Sequence, residues 1–445
     1  MKATLPLLPE VGMSRIVARR NKTSVTKREF LRDVLALAER LPPGRHVLNL
    51  CKDRYWFAAT LFACIVGDRL SVLPSTITPE IVADFRQTFP DLVCLGDQAA
   101  TDYELPYVAV QSCTGERASA DRAMPQIPAE QTVMLVYTSG STGDPKEKAK
   151  TFGQMYRCIG AEAKRLWEAA GGPCAVLGTV PFQHMYGLES TIFLPLLGDG
   201  LLSSQLPFFP ADVACALAEI PEPRLLVTTP FHLRKLLEAD ISYPPIAVIL
   251  SATAPLSIRL AAEAEAGLGA SVLEIYGSTE TGQVATRRPT RSEVWDAYEG
   301  IELSLENGAA MVRGGHLLAP EMLGDVIELD SPTRFRLLGR HSDMVNVAGK
   351  RSSLAYLNHV LAGIPGLRDG AFCIPETHPE RDISRLAAFI VAPGLRSQDI
   401  QAALLQKLDP VFLPRPIVFL DALPRDGNGK ISASAMADLI ARHIP

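Results

Sequence analysis

The stretch Tyr137-Thr138-Ser139-Gly140-Ser141-Thr142-Gly143-Asp144-Pro145-Lys146 follows directly on an apolar run, Thr132 to Val136. A short run of that kind is most simply a buried strand. The loop after it holds two glycines, four hydroxyl side chains and a lysine. Backbone N–H groups in such a loop can converge on an anion, and glycine lets the chain approach closely. The hydroxyls and Lys146 add neutral and charge-assisted hydrogen bonds. The ligand that suits this chemistry is a polyphosphate. It is not a Walker A loop, because Pro145 stands where a glycine must precede the lysine. Gly427-Asn428-Gly429-Lys430 fails as well, since Ile431 replaces the required Ser or Thr. Taken alone, the 137–146 loop also allows an ordinary strand-to-helix turn.

Outward from this loop, helix and strand signals alternate. Thr26-Lys27-Arg28-Glu29 has capping-box spacing ahead of Phe30, Leu31, Val34, Leu35, Leu37, Ala38 and Leu41, which predicts an amphipathic helix. His46 to Leu50 and Leu70 to Leu73 read as strands around a helix at Tyr55 to Val66. After 132–136 come a helix near Gln154 to Ala170 and strands at 175–180, Leu225 to Thr229, Ile246 to Leu250 and Ser271 to Ile275. Alternation at this pace implies an α/β fold of largely parallel sheets covered by helices. The stretch 111–130 reads as a surface connection. Past about residue 340 the pattern changes. A helix at 353–362, strands near 370–375 and 386–392, a helix near 398–407, a strand at 416–420 and a terminal helix predict a small α+β domain. The expected division is a core of 1–340 and a mobile C-terminal domain of 341–445.

Length and composition narrow the class. A chain of 445 residues suggests two or three domains, and 47% hydrophobic with 21% charged is ordinary for a globular protein. A net charge of −5 without a basic stripe points away from nucleic acid. Eight cysteines scattered singly read as reduced thiols, which suits a cytoplasmic protein. The most apolar stretch, Tyr55 to Gly67, is too short to span a bilayer, and no signal peptide is read at the N-terminus. The oligomeric state stays open.

Four further segments accompany the loop: Tyr276-Gly277-Ser278-Thr279-Glu280-Thr281-Gly282; Gly324-Asp325; Gly339-Arg340-His341-Ser342-Asp343 with Gly349-Lys350-Arg351; and Leu423-Pro424-Arg425-Asp426-Gly427-Asn428-Gly429-Lys430. In this order and at these separations they resemble the AMP-forming adenylating enzymes, the superfamily of acyl- and aryl-CoA synthetases, adenylation domains and firefly luciferase. The resemblance covers about residues 130 to 432. It implies ATP and Mg²⁺ as cofactors. It also implies attack of a carboxylate on the α-phosphorus of ATP, giving an acyl adenylate and pyrophosphate. Two anions must then be brought together, so cationic and N–H groups are required where charge accumulates.

By that resemblance Thr138, Ser139, Gly140, Ser141, Thr142, Gly143 and Lys146 would hold the β- and γ-phosphates. Glu280 would ligate Mg²⁺, a hard cation that takes carboxylate and phosphate oxygens. Read without the family, Glu280 is an acid at a helix start, favoured by the dipole. Thr279 would contact the α-phosphate, Tyr276 would lie along the adenine, and Asp325 would clamp the ribose with Arg340 beside it. Leu323 stands before Gly324-Asp325 where relatives carry Thr. Lys430 would bridge the acid oxygen and the α-phosphate. Ser434 and Ala435 stand where many relatives carry a basic residue. The family rotates its C-terminal domain between half-reactions. The hinge falls at Ser342, where relatives have Asp or Lys; either neighbouring Asp343 substitutes or the hinge tolerates Ser. Gly349, Lys350 and Arg351 would then line the thiol tunnel.

Pro181-Phe182-Gln183-His184-Met185-Tyr186-Gly187 resembles the family's pocket segment, with His184 near the acid carboxylate. No Asp occurs there to meet a substrate ammonium, which argues against an amino acid. Met185, Tyr186, Gly187, Thr253, Ala254 and Gly277 are the expected pocket walls, suited to a flat aryl acid or a modest acyl chain. The compact chain resembles stand-alone ligases that load a carrier protein. An acyl carrier protein is therefore favoured over CoA as the thiol acceptor. A non-catalytic nucleotide sensor and a luciferase-like oxygenase are the readings from other classes.

Overall fold

The computed structural model describes residues 3–10, 12–20, 22–74, 77–98, 103, 105–113, 123–138, 146–340, 344–347, 350–375, 386–426, 429 and 431–444. Two sheets share one layer of helices. The first has six strands, in the order Lys146–Thr151, Thr132–Thr138, Leu70–Leu73, His46–Asn49, Val93–Gly96 and Tyr107–Ala109. All are parallel except Lys146–Thr151, which runs antiparallel to Thr132–Thr138. The second has eleven strands. Its middle is parallel, from Ser271–Ser278 through Val248–Ser251, Arg224–Thr228, Ala175–Gly178 and Leu201–Ser203 to Ile16–Arg20. Antiparallel strands extend it at both ends, most extensively through Gly282–Arg287, Trp295–Ala297, Arg334–Arg340 and Asp325–Ser331.

The strand sequences explain the layering. Side chains alternate between faces along a strand. In Arg224–Thr228, Leu225 and Val227 join the central core while Leu226 joins the core on the opposite face. In Thr132–Thr138, Met134 and Val136 face the central core and Leu135 faces the other side. Strands buried on both faces read as unbroken apolar runs. The central core lies between the sheets and takes in helices Lys27–Ala38, Arg54–Val66 and Phe152–Ala170. Phe30, Phe57 and Phe62 are fully buried within it, each contributing about 1.5–3 kcal/mol of burial. The first of these helices carries its capping box: Glu29 N donates to Thr26 Oγ1 at 3.2 Å, and Thr26 N donates to Glu29 Oε2 at 2.7 Å.

Beyond residue 344 lies a separate, smaller α+β unit. Asp369–Cys373, Ala387–Val391 and Ile417–Phe419 form its sheet, with helices Leu354–Ala362, Ser397–Leu405 and Ala433–His443. Its two apolar clusters draw only on residues of this region. Two features depart from the sequence reading. The 137–146 loop leads into a strand, Lys146–Thr151, and only then into a helix, so it is not a strand-to-helix turn. Residues 282–340 form antiparallel strands that the alternation gave no sign of. Cys51, Cys64, Cys94, Cys158, Cys174 and Cys373 are buried free thiols, and Cys215 is an exposed one. No helix among the described residues is long and apolar enough to cross a membrane.

Candidate nucleotide and acid site

Two strands of the parallel sheets end in hairpins that meet. Thr132–Thr138 turns back as Lys146–Thr151, with Thr138 paired to Lys146 across the ladder. Residues 139–145 lie outside the described residues, so Ser139, Gly140, Ser141, Thr142 and Gly143 have no described placement. The backbones of Thr138 and Lys146 bound that loop. Ser271–Ser278 outruns its parallel neighbours and turns back as Gly282–Arg287, with Ser278 paired to Gly282. Gly277 is required there, since a β-carbon at this position would run into the Gly282 carbonyl. The turn is tied internally. Ser278 N donates to Thr281 Oγ1 at 3.1 Å, Thr281 N donates to Ser278 Oγ at 3.2 Å, and Thr281 Oγ1 donates to Gly282 O at 2.7 Å. Thr279 and Glu280 at its tip are half-buried. Glu280 therefore sits in a hairpin turn, and the reading as a helix-start acid falls. The two hairpins touch through Lys150, whose Nζ donates to the Glu280 carbonyl at 2.7 Å.

The adenosine candidates also converge. Tyr276 Oη donates to Asp325 Oδ2 at 2.7 Å, across 49 residues of sequence. The Tyr276 ring packs edge-on against Phe335 and tilted against Trp295, at 5.4 and 5.7 Å between centroids. That aromatic floor fixes where the phenol points. Asp325 opens its strand and pairs in register with Arg340 on the neighbouring one. The backbones of these two candidates are thus opposite each other; the Arg340 side chain lies outside the described residues.

The pocket segment forms a short helix, Met185–Leu188, with His184 half-buried at its N-cap. Tyr186 Oη lies 3.0 Å from Thr228 O and 2.8 Å from Leu250 O, at the carboxyl ends of two parallel strands. Ligands of parallel α/β sheets bind at such ends. Thr253, three residues past Leu250, has a φ of +76°, an uncommon conformation for a β-branched residue and a form of strain that clusters at functional sites. Ala254 follows it, half-buried.

In the small unit, Arg425 grips Asp369 through two bonds of 2.8 and 2.7 Å and donates to Gly429 O at 2.8 Å. Gly429 lies against Phe231 of helix Pro230–Glu238 in the large unit. Lys430 itself, Ser342, Asp343 and Gly349 lie outside the described residues, as do the side chains of Lys146, Lys350 and Arg351.

Several residues that sequence reasoning passed over stand behind the turn. Lys150 and His316 are each 4% exposed. His316 Nε2 meets the Thr281 carbonyl at 2.8 Å. Since a carbonyl only accepts, that nitrogen carries the proton. Burial lowers the His316 pKa to about 4, which keeps the ring neutral. Cys158 Sγ lies 3.6 Å from Glu189 Oε1. Gln283 Nε2 donates to Ser190 Oγ at 3.0 Å, and Ser190 Oγ donates to Glu162 Oε1 at 2.7 Å. Burial pushes Glu162 up to about 8 and Glu189 up to about 7. The one signal available was Glu189, two residues past the pocket segment 181–187.

The profile of the family described as AMP-binding enzyme matches residues 12–312. The chain belongs to that family. A 4-coumarate–CoA ligase of Rhodobacter capsulatus is 29% identical over 307 residues, covering 67% of this chain and 75% of that protein. A feruloyl-CoA synthase of an Amycolatopsis species is 25% identical over 477 residues, covering 93% of each. Among solved structures, the O-succinylbenzoate coenzyme A synthetase of Bacillus subtilis bound to AMP superposes with a TM-score of 0.79. It shares 21% identity and covers 96% of this chain and 97% of that one, a likeness of fold. This AMP-binding enzyme is an AMP-forming acid–thiol ligase.

Proposed function

We propose that this AMP-binding enzyme activates an aromatic carboxylic acid as its acyl adenylate and passes the acyl group to the thiol of CoA. In the first half-reaction a carboxylate oxygen attacks the α-phosphorus of ATP and the bond to pyrophosphate breaks. In the second, a thiolate attacks the acyl carbonyl and AMP leaves. The observation that carries the reading is the meeting of Tyr276 with Asp325 beside a turn that presents Thr279 and Glu280. These groups suit adenine, ribose and phosphates in sequence along one face of the sheet ends.

Mg²⁺ fits this site through Glu280. Among the described residues no group of three or more His, Cys, Asp or Glu could form a metal cage. Magnesium carried on phosphate oxygens needs only one or two carboxylates and keeps its waters. No described side chain hydrogen-bonds the Glu280 carboxylate, which is half-exposed. When bound, the ion would neutralise phosphate charge. Lys430 would deliver a second positive charge from the small domain, swung about Ser342 or Asp343 with the division at residues 340 and 341. Gly349, Lys350 and Arg351 would line the thiol path in the second state, and His184 would flank the acid carboxylate.

Relatives named for 4-coumarate, ferulate and indoleacetate as CoA ligases or synthases support an aromatic acid and CoA. Compactness does not favour a carrier protein, because 307 aligned residues already make up 75% of the Rhodobacter ligase. Pocket walls of Tyr186, Met185 and Ala254, with no carboxylate in 181–187, suit a flat apolar acid. The test is pyrophosphate release across cinnamate-type, benzoate-type, indole and fatty acids, with CoA or with a phosphopantetheinylated carrier protein as acceptor. The expected result is thioester with CoA and an aromatic acid. Turnover confined to fatty acids, or to the carrier protein, would overturn the corresponding half of the proposal.

A further inference from the structure

Lys150 is a lysine in the interior, on an exposed-looking strand of sequence Lys146-Glu147-Lys148-Ala149-Lys150-Thr151. Taking an ammonium out of water costs several kcal/mol unless partners compensate it. Its described hydrogen-bond acceptor is the Glu280 carbonyl, at 2.7 Å. The strongest attractive charge on it is that of Glu189. Glu189 in turn lies against the hairpin: a β-carbon on Gly282 would come within 2.9 Å of Glu189 Oε1. The next carbonyl of the turn, that of Thr281, is taken by His316. Two consecutive peptide groups are therefore held from the protein interior by side chains remote in sequence. A turn pinned at both carbonyls has little freedom left in the dihedrals that aim the Glu280 side chain. Glu189 directly follows the pocket helix Met185–Leu188 and leads into the segment that binds Gln283 through Ser190. Glu189, after the pocket helix, and Lys150 thus reach the same turn from two sides, one at Gly282 and the other at the Glu280 carbonyl.

We propose that Lys150, bonded to the Glu280 carbonyl with Glu189 packed behind the same turn against Gly282, is a positioning residue that presents the Glu280 carboxylate to the divalent cation accompanying ATP. This rests on the reading of Glu280 given above. The lysine touches neither nucleotide nor acid; it acts through the backbone of the turn. Loss of an outer partner of a metal ligand typically costs 10- to 100-fold in metal affinity. A residue that merely stabilises the fold would weaken nucleotide binding with and without the cation alike.

The experiment is calorimetric titration of ATP into the full-length protein, once with excess EDTA and once with excess Mg²⁺. Wild type and Lys150→Met are compared, with thermal unfolding as the check on folding. The expected result is that Lys150→Met loses about tenfold or more of the Mg²⁺-supported affinity while binding in EDTA stays within about twofold of wild type. Equal losses under both conditions, or none, overturn the proposal. If Lys150→Met does not fold, Glu189→Gln decides. It keeps the lysine and removes its countercharge, so it must shift the Mg²⁺-supported affinity downward, and wild-type behaviour overturns the proposal. A wild-type protein whose ATP affinity ignores Mg²⁺ would remove the Glu280 reading itself, and this inference with it.

Discussion

Behind the turn Ser278–Gly282 stand side chains from separate stretches of the large domain: Lys150 on the Glu280 carbonyl, His316 on the Thr281 carbonyl, and Glu189 against Gly282. In the small domain Arg425, five residues before Lys430, is fastened to Asp369 and to the Gly429 carbonyl. The first set is buried. In the second, the Arg425 and Asp369 side chains are 21% and 28% exposed. A turn held from behind by buried side chains has little freedom to change its geometry. A segment carried on its own small sheet and gripped by a partly exposed ion pair can be moved as a unit without disturbing any core. The difference suits the proposed cycle: a fixed seat for the nucleotide, and a small domain that would bring Lys430 for one step and withdraw it for the other.

The sharpest way to break that comparison is Lys430→Ala. Removing one preorganised charge from a transition state costs about 10²- to 10³-fold in rate. The loss is expected in pyrophosphate release, while thioester formation from supplied acyl adenylate stays near wild type. Rapid-quench assays of the two half-reactions measure this. Equal losses in both would mean that the small domain does not change places between steps.

A smaller effect is expected from Arg425→Ala. The substitution removes the two bonds to Asp369 and the one to Gly429 O, one residue before Lys430. Losing this part-buried, two-bonded pair costs some stability, and thermal unfolding checks that the variant is folded at the assay temperature. Adenylation should slow by about tenfold, within what misplacement of a reacting group costs, and transfer should change less. Arg425→Lys should not restore it, because an ammonium cannot make the planar two-pronged grip. A variant with unchanged adenylation would show that the loop does not depend on this anchor.

How far the chain announces all this varies with the physics of each element. The helix Lys27–Ala38 was legible because its capping box and apolar spacing are local. Most of the parallel strands were legible because burial on both faces makes their runs mainly apolar, whereas Ile16–Arg20, Val93–Gly96, Tyr107–Ala109 and Leu201–Ser203 were passed over. Lys146–Thr151 was not, because Lys and Glu are depleted in strands and its pairing partner supplies the reason for it. The antiparallel run from 282 to 340 mixes polar and apolar residues and carries no long period. The residues the resemblance assigns to the nucleotide were legible as motifs. The layer behind them was not, since a lysine at 150 or a glutamate at 162 reads as a solvated side chain until the packing is known.

A further test, read in stability instead of rate, asks whether that hidden layer is as dry as the comparison requires. Glu162 is fully buried, with Oε1 bonded by Ser190 and no described partner on Oε2. Burial raises its pKa from the ordinary 4.5 to about 8. Between those values the folded protein keeps a proton that the unfolded chain has released. This raised group therefore lowers stability as pH climbs through the window, by up to about 1.4 kcal/mol per pH unit, and has no such effect below the unfolded value. Glu162→Gln keeps the acceptor for Ser190 and cannot titrate. It places an unmet N–H₂ where the neutral acid would place an unmet O–H, so the absolute stabilities need not differ. The slopes should. Wild-type melting temperature is expected to fall more steeply than that of the variant between pH 5.5 and 8.5, leaving the variant ahead on the alkaline side. Parallel profiles would mean that water reaches Glu162, and that the turn at 278–282 is backed by a solvated cavity instead of a packed core.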